Sequence, residues 1–84
     1  MVARVLPALL ARAPLSPEKV DFAWRTVAGD ALARATRVTL RDGILIVSAN
    51  DARWLDEVAR ARTTLLARLN ALLGDGTVRL IRSV

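Results

Sequence analysis

No cysteine, histidine or tyrosine occurs anywhere in the 84 residues. Without cysteine, neither a disulfide framework nor a zinc-finger ligand set can staple the chain. Without histidine, imidazole acid/base chemistry and the usual transition-metal ligation are excluded, so no metal and no cofactor is expected. Aromatic residues are few, at two tryptophans and one phenylalanine, and lysine is nearly absent, since Lys19 is the one non-arginine among 13 basic residues. No apolar run approaches the roughly 18–20 residues of a membrane span, so no membrane partner is expected. The stretch Val2–Leu10, with Arg4 and an early Pro7, makes a poor signal peptide. A soluble, cytoplasmic protein is the expectation.

What is present is apolar and basic. Hydrophobic residues make up 54% of the chain, against a usual share of about 45–50%, and mean hydropathy is +0.34. That composition argues against disorder and leaves apolar surface for a partner. The length fits one domain, residues 1–84, with residues 1–15 a short N-terminal helix or arm. The net charge of +5 and a pI near 11.5 point to an anionic partner, nucleic acid or an acidic protein surface.

Val5, Leu6, Leu9 and Leu10 recur at helical spacing, with Pro7 in the first turn and Pro14 as the stop. Ser16-Pro17-Glu18 reads as an N-cap followed by proline at the first helical position. From there Val20, Trp24, Val27, Ala28, Ala31, Leu32 and Ala35 share one face of a single helix, with Trp24 at its centre as core. Gly29 lies off that stripe; a close backbone approach or simple tolerance accounts for it. Phe22 points the other way and is expected to pack under the N-terminal helix.

The pattern then switches to period 2. Arg37–Arg41, Asp42-Gly43 and Ile44–Ser48 form a hairpin signature, because Asp-Gly suits a type I′ turn in which both central residues need positive φ. That turn pairs Arg41 with Ile44, Leu40 with Leu45, Thr39 with Ile46 and Val38 with Val47. Opposed residues share a face, so Val38, Leu40, Leu45 and Val47 face the helices. Arg37, Thr39, Arg41, Ile44, Ile46 and Ser48 form the other face. Asn50 or Asp51 caps a second long helix ending at Gly74, with Trp54, Val58, Ala61, Leu65, Leu69 and Leu72 on its apolar stripe. Arg53 with Glu57, and Asp56 with Arg60, are i,i+4 pairs on its outer face. Arg62 falls between two apolar stripes, where a snorkelling stem is the simplest account. Asp75-Gly76 turns the chain into a last strand, Thr77–Arg82, with Val78 and Leu80 inward and Arg79 and Ile81 outward. The result is an α+β fold of order α-α-β-β-α-β: a three-stranded sheet covered on one side by two long helices.

No catalytic set emerges. Ser16 is a cap, Ser48 and Ser83 end strands, and none lies in a Gly-x-Ser-x-Gly elbow. Lys19 stands beside acids in a first helical turn, without the burial that would make it a base. Asp56 and Glu57 diverge on a helix, and Gly74 and Gly76 lack a phosphate-loop pattern. An enzyme is not expected. The outer sheet face instead interleaves Arg37, Arg41 and Arg79 with Ile44, Ile46 and Ile81, which reads as a contact surface. It carries no aromatic residue on which bases would stack, so backbone-only binding or protein contact is favoured. Arg53 and Arg60 offer a second basic patch on the helices.

These residues resemble the DciA-like family of bacterial proteins that assist the replicative DnaB-type helicase. The pattern is Trp24-x-x-Val27-x-Gly29, then Leu32-Ala33 and Thr36, then Leu40-x-Asp42-Gly43-x-Leu45-x-Val47. Ser48 follows, with Trp54 six residues on, then Leu65, Leu69-Asn70 and Val78-x-x-Ile81. The resemblance covers residue 20 to the end and implies a KH-like fold, binding to the DnaB-type helicase, weak affinity for DNA and no nucleotide hydrolysis; the arginines make single-stranded or forked DNA the expected, salt-sensitive partner. Where many members carry histidine and proline near the first strand, this chain has Ala35 and Arg37, and it lacks the KH Gly-x-x-Gly loop. Many members also carry a flexible extension, whereas this chain stops at Val84. The alternatives are a stand-alone KH-like nucleic-acid binder and a self-associating interaction domain, the oligomeric state being open.

Overall fold

Ser16 opens the first helix of the computed structural model, which describes residues 15–84. Its hydroxyl accepts the Lys19 N–H at 3.1 Å, and Pro17 occupies the first turn, where a missing N–H costs little. The elements in order are α1 (Pro17–Ala28), α2 (Asp30–Ala35), β1 (Thr36–Arg41), β2 (Ile44–Ala49), α3 (Ala52–Arg60), α4 (Arg62–Leu73) and β3 (Leu80–Ser83). The N-terminal helix expected over Val5–Ala13, and the packing of Phe22 beneath it, lie outside the described residues.

The hairpin forms in the register that its turn demands. Asp42 (φ 52°) and Gly43 (φ 79°) both take positive φ, and all four expected pairs are present. β3 joins the far side of β2 in parallel, giving sheet order β1-β2-β3. Helices cover one face. There Leu45, Val47 and Ile81 pack with Val20, Ala23 and Trp24 of α1, Val58 of α3, and Leu65, Leu69 and Leu73 of α4. Val38 and Leu40 are half-buried against this core. The α+β architecture and its helix–strand–strand–helix–strand order are therefore those the pattern called for.

Each long helix, however, is broken once. Gly29 sits at φ 85°, ψ 166°, a conformation open almost only to glycine, and it separates α1 from α2. A Cβ built there meets nothing within 4 Å, so the glycine serves backbone conformation and not a close approach. The second break falls at Ala61 (φ −94°, ψ 6°), just before Arg62 and the β-branched pair Thr63-Thr64. Arg62, which a continuous helix would set between apolar stripes, is exposed.

Two further expectations are corrected. Trp54 is half-buried and not part of the buried core, because it lies on the flank of α3 that faces the Gly29 junction, beside a groove. Lys19, expected at the surface, is only 7% exposed.

Asn70 ties α4 to the approach of β3. Its amide donates to the Val78 carbonyl, and its carbonyl accepts the Val78 N–H, both at 2.8 Å. No helix among the described residues is long and apolar enough to cross a membrane.

Candidate nucleic-acid interface

The sheet face turned away from the helices is built by alternation. β1 contributes Arg37, Thr39 and Arg41, and β2 contributes Ile44, Ile46 and Ser48, the residues whose neighbours point into the core. The third strand differs from expectation. Ile81 is 3% exposed and pairs with buried Leu45, whereas Leu80 is 42% exposed and pairs with Ile44. The outward residues of β3 are therefore Leu80 and Arg82, not Arg79 and Ile81.

The cause is an interruption of the period-2 pattern. The N–H groups of Arg79 and Leu80 both point to the Gly43 carbonyl, at 2.7 and 3.3 Å, so two consecutive residues stay outside between inward Val78 and inward Ile81. The spacing Val78-x-x-Ile81 was the signal for this, since strict alternation never places two inward residues three apart. Arg79 instead clasps the hairpin: its guanidinium donates to the Asp42 carbonyl and lies over Gly43, where an added Cβ would come within 2.5 Å of its Nε.

Across the face, Arg41, Ile44 and Leu80 stand in one row and Thr39, Ile46 and Arg82 in the next, with Arg37 beside Ser48 beyond them. An apolar strip of Ile44, Ile46 and Leu80 thus runs between Arg37 and Arg41 on one side and Arg82 on the other. Arg37 and Arg41 are about 13 Å apart along β1, and Arg82 is about 10 Å across the sheet. Among the described residues the ion pairs are Arg53–Asp51 (3.0 Å) and Arg60–Glu57 (3.4 Å), so none of these three arginines has an acidic partner.

The second basic patch is less available. Arg53 and Arg60 belong to α3, in the helical layer, and both are ion-paired, though not with the i,i+4 partners the spacing proposed. Asp51 caps α3 by accepting the Arg53 N–H at 2.9 Å, and its other oxygen receives Arg53 Nε at 3.1 Å. The backbone hydrogen bond from Arg53, then its side-chain hydrogen bond, hold the Asp51 carboxyl below its ordinary value of 3.8. Arg60 ends α3 and reaches back three residues to Glu57.

A groove of about 710 Å³ lies on the helical side, where Val27, Gly29 and Leu32 face Trp54, Leu65 and Arg68. No cluster of three or more His, Cys, Asp or Glu side chains suited to a metal ion occurs among the described residues.

A three-stranded sheet with helices on one face and an arginine-flanked apolar strip on the other defines a small two-layer α+β domain. Comparison with protein families matches residues 1–82 to the family described as Dna(CI) antecedent, DciA, and the chain belongs to that family. A UPF0232 protein of Mycolicibacterium smegmatis is 37% identical over 62 residues, covering 73% of this chain and 32% of that protein. A UPF0232 protein of Rhodococcus jostii is 40% identical over 60 residues, covering 70% of this chain and 32% of its own length. A further relative in M. smegmatis, 36% identical over 62 residues, covers 73% of this chain and 32% of its own length; it is named for the recF-gyrB intergenic region. The chain thus spans about a third of the length of the curated relatives it matches.

Proposed function

We propose that this domain is a non-catalytic accessory of DNA replication initiation that binds the DnaB-type replicative helicase and holds DNA weakly through its open sheet face. The observation that carries the DNA half is the set Arg37, Arg41 and Arg82, each without an acidic partner, around Ile44, Ile46 and Leu80. Free guanidinium groups bind phosphate oxygens and release the counterions those phosphates had condensed, which gives affinity without sequence preference. The face lacks any aromatic side chain, so bases find no stacking platform, and contact stays with the backbone.

The helicase half rests on family membership and on the apolar strip, which suits a protein contact more than a nucleic-acid one. The absence of histidine and cysteine from the whole sequence supports a role without chemistry of its own. The test is a pull-down of the organism's DnaB-type helicase with this domain at low and at moderate salt. Retention at moderate salt is the expected result. Loss at both, with single-stranded oligonucleotides still retained, would replace the helicase accessory by an independent nucleic-acid binder.

A further inference from the structure

Among the described residues no strand pairs with the outer edge of β1, which borders the open face. In a two-residue hairpin the residues flanking the turn exchange hydrogen bonds, and the pairs then alternate along the ladder. Arg41, Thr39 and Arg37 therefore bond to Ile44, Ile46 and Ser48, while the N–H and C=O groups of Val38 and Leu40 point outward from the sheet. β2 has no such vacancy on its other side, where the Val47 carbonyl receives the Val84 N–H at 2.9 Å. Beside the β1 edge run two adjoining hollows between this strand and α1. One, of about 250 Å³, is lined by Leu15, Val20 and Leu40; the other, of about 590 Å³, by Trp24, Ala33 and Thr36; Asp21, Val38 and Thr39 border both, so the acidic side chains of a ligand belong on the opposite, arginine-bearing side of the strand.

We propose that this edge takes an extended acidic peptide segment of a protein partner as an added antiparallel strand. Such a strand would set its inward side chains in the hollows, where Val20, Val38 and Leu40 are apolar. Its outward side chains would stand opposite Arg37, Thr39 and Arg41, because opposed residues share a face. Carboxylates four residues apart, alternating with β-branched residues, are the complement of that edge.

The same charges argue against the other occupants. A second copy pairing antiparallel about Thr39 would set Arg37 of each copy opposite Arg41 of the other, two like-charge pairs on one face. Residues 1–14 hold Arg4 and Arg12 and no acidic side chain, so they offer nothing to either arginine.

The test uses the full chain and the peptide Ac-Thr-Glu-Val-Thr-Val-Glu-Thr-NH2, read by amide hydrogen exchange and NMR titration. Free protein should exchange the Val38 and Leu40 amides quickly, and saturating peptide should protect them. Methylating both valine nitrogens of the peptide should weaken binding by about tenfold or more. Methylating its central threonine nitrogen, which would face away from β1, should change it little. The version with lysine in place of both glutamates should bind no better than background. Equal binding by the two methylated peptides, or by the lysine peptide, would overturn strand addition. So would protection of the Val38 and Leu40 amides without peptide, whether it grows with protein concentration (a second copy) or not (the chain's own residues 1–14). Because Arg37 and Arg41 also belong to the proposed DNA face, the methylation pattern is the readout that DNA binding does not share.

Discussion

Trp24 donates its buried indole N–H to the Thr36 hydroxyl at 2.9 Å, and that hydroxyl donates in turn to the Leu32 carbonyl at 2.7 Å. The relay joins α1 to the middle of α2 and to the start of β1, where the chain changes from helix to strand. Thr36→Val keeps the shape but removes the hydroxyl and with it both hydrogen bonds, leaving the indole N–H of Trp24, itself 2% exposed, unpaired. We expect a loss of about 1–3 kcal/mol in urea unfolding. Trp24→Ala should cost about 3–5 kcal/mol, enough to unfold a domain this small.

The two tryptophans should separate in fluorescence. Trp54 is half-buried beside the groove, whereas Trp24 is enclosed. Acrylamide should quench the emission of a Trp24→Phe variant, which keeps Trp54 alone, more strongly than that of a Trp54→Phe variant. Trp54→Ala should leave a folded protein, with a stability loss well below that of Trp24→Ala. Equal quenching of the two indoles would contradict the placement of Trp54.

How much of this was legible follows from how local each signal is. The hairpin register was set by Asp42-Gly43, and the helix ends by Ser16, Asp51 and Gly74, because each is decided within a few residues by turn or cap chemistry. The breaks at Gly29 and Ala61 were not, since apolar periodicity continues across them: Val20, Trp24 and Leu32 still face the core on either side of the first, and Val58 and Leu65 on either side of the second. The frame of β3 depended on one carbonyl, Gly43, holding two consecutive amides 36 and 37 residues later; the spacing Val78-x-x-Ile81 departs from alternation but does not name the distant contact that breaks it. That single irregularity moved Arg79 off the open face and put Arg82 on it.

Gly29 offers a test whose sign discriminates. If the residue were an ordinary helical glycine, Gly29→Ala would stabilise by up to about 1 kcal/mol. At φ 85°, ψ 166° an alanine is strained whatever the room around it, so the substitution should instead destabilise by about 1–3 kcal/mol. Thermal or urea unfolding of this one variant decides between a break and a tolerated glycine.

Asp51 gives the domain a small acid-side dependence. Its folded-state carboxyl titrates below the ordinary 3.8, chiefly through the backbone hydrogen bond from Arg53 and then through that residue's guanidinium. A depressed carboxyl contributes stability that is present above the unfolded value and is lost as pH falls through the folded one. Asp51→Ala should therefore lower the melting temperature at neutral pH, and the gap to the parent should narrow as the pH is taken below 3.8. A gap that stays constant into acid would mean the carboxylate charge plays no part in the cap.

The open face makes a prediction with two independent readouts. If Arg37, Arg41 and Arg82 each hold a phosphate, log affinity for a single-stranded oligonucleotide falls linearly with log salt, at a slope near −0.7 per contact. Removing one arginine should then shallow the slope by about 0.7 and weaken binding uniformly across sequences. Arg79→Ala should leave that slope unchanged, because its guanidinium is engaged with the Asp42 carbonyl, but it should loosen the hairpin and lower stability. Arg37→Glu with Arg41→Glu should abolish binding while the melting temperature stays close to the parent's, since both side chains are exposed and unpaired in the fold. A double variant that still binds DNA would move the site to the helical layer around Arg53 and Arg60. There the ion pairs with Asp51 and Glu57 would have to open first, so affinity would rise when Asp51 or Glu57 is neutralised. That rise, or its absence, separates the two surfaces even if both bind weakly.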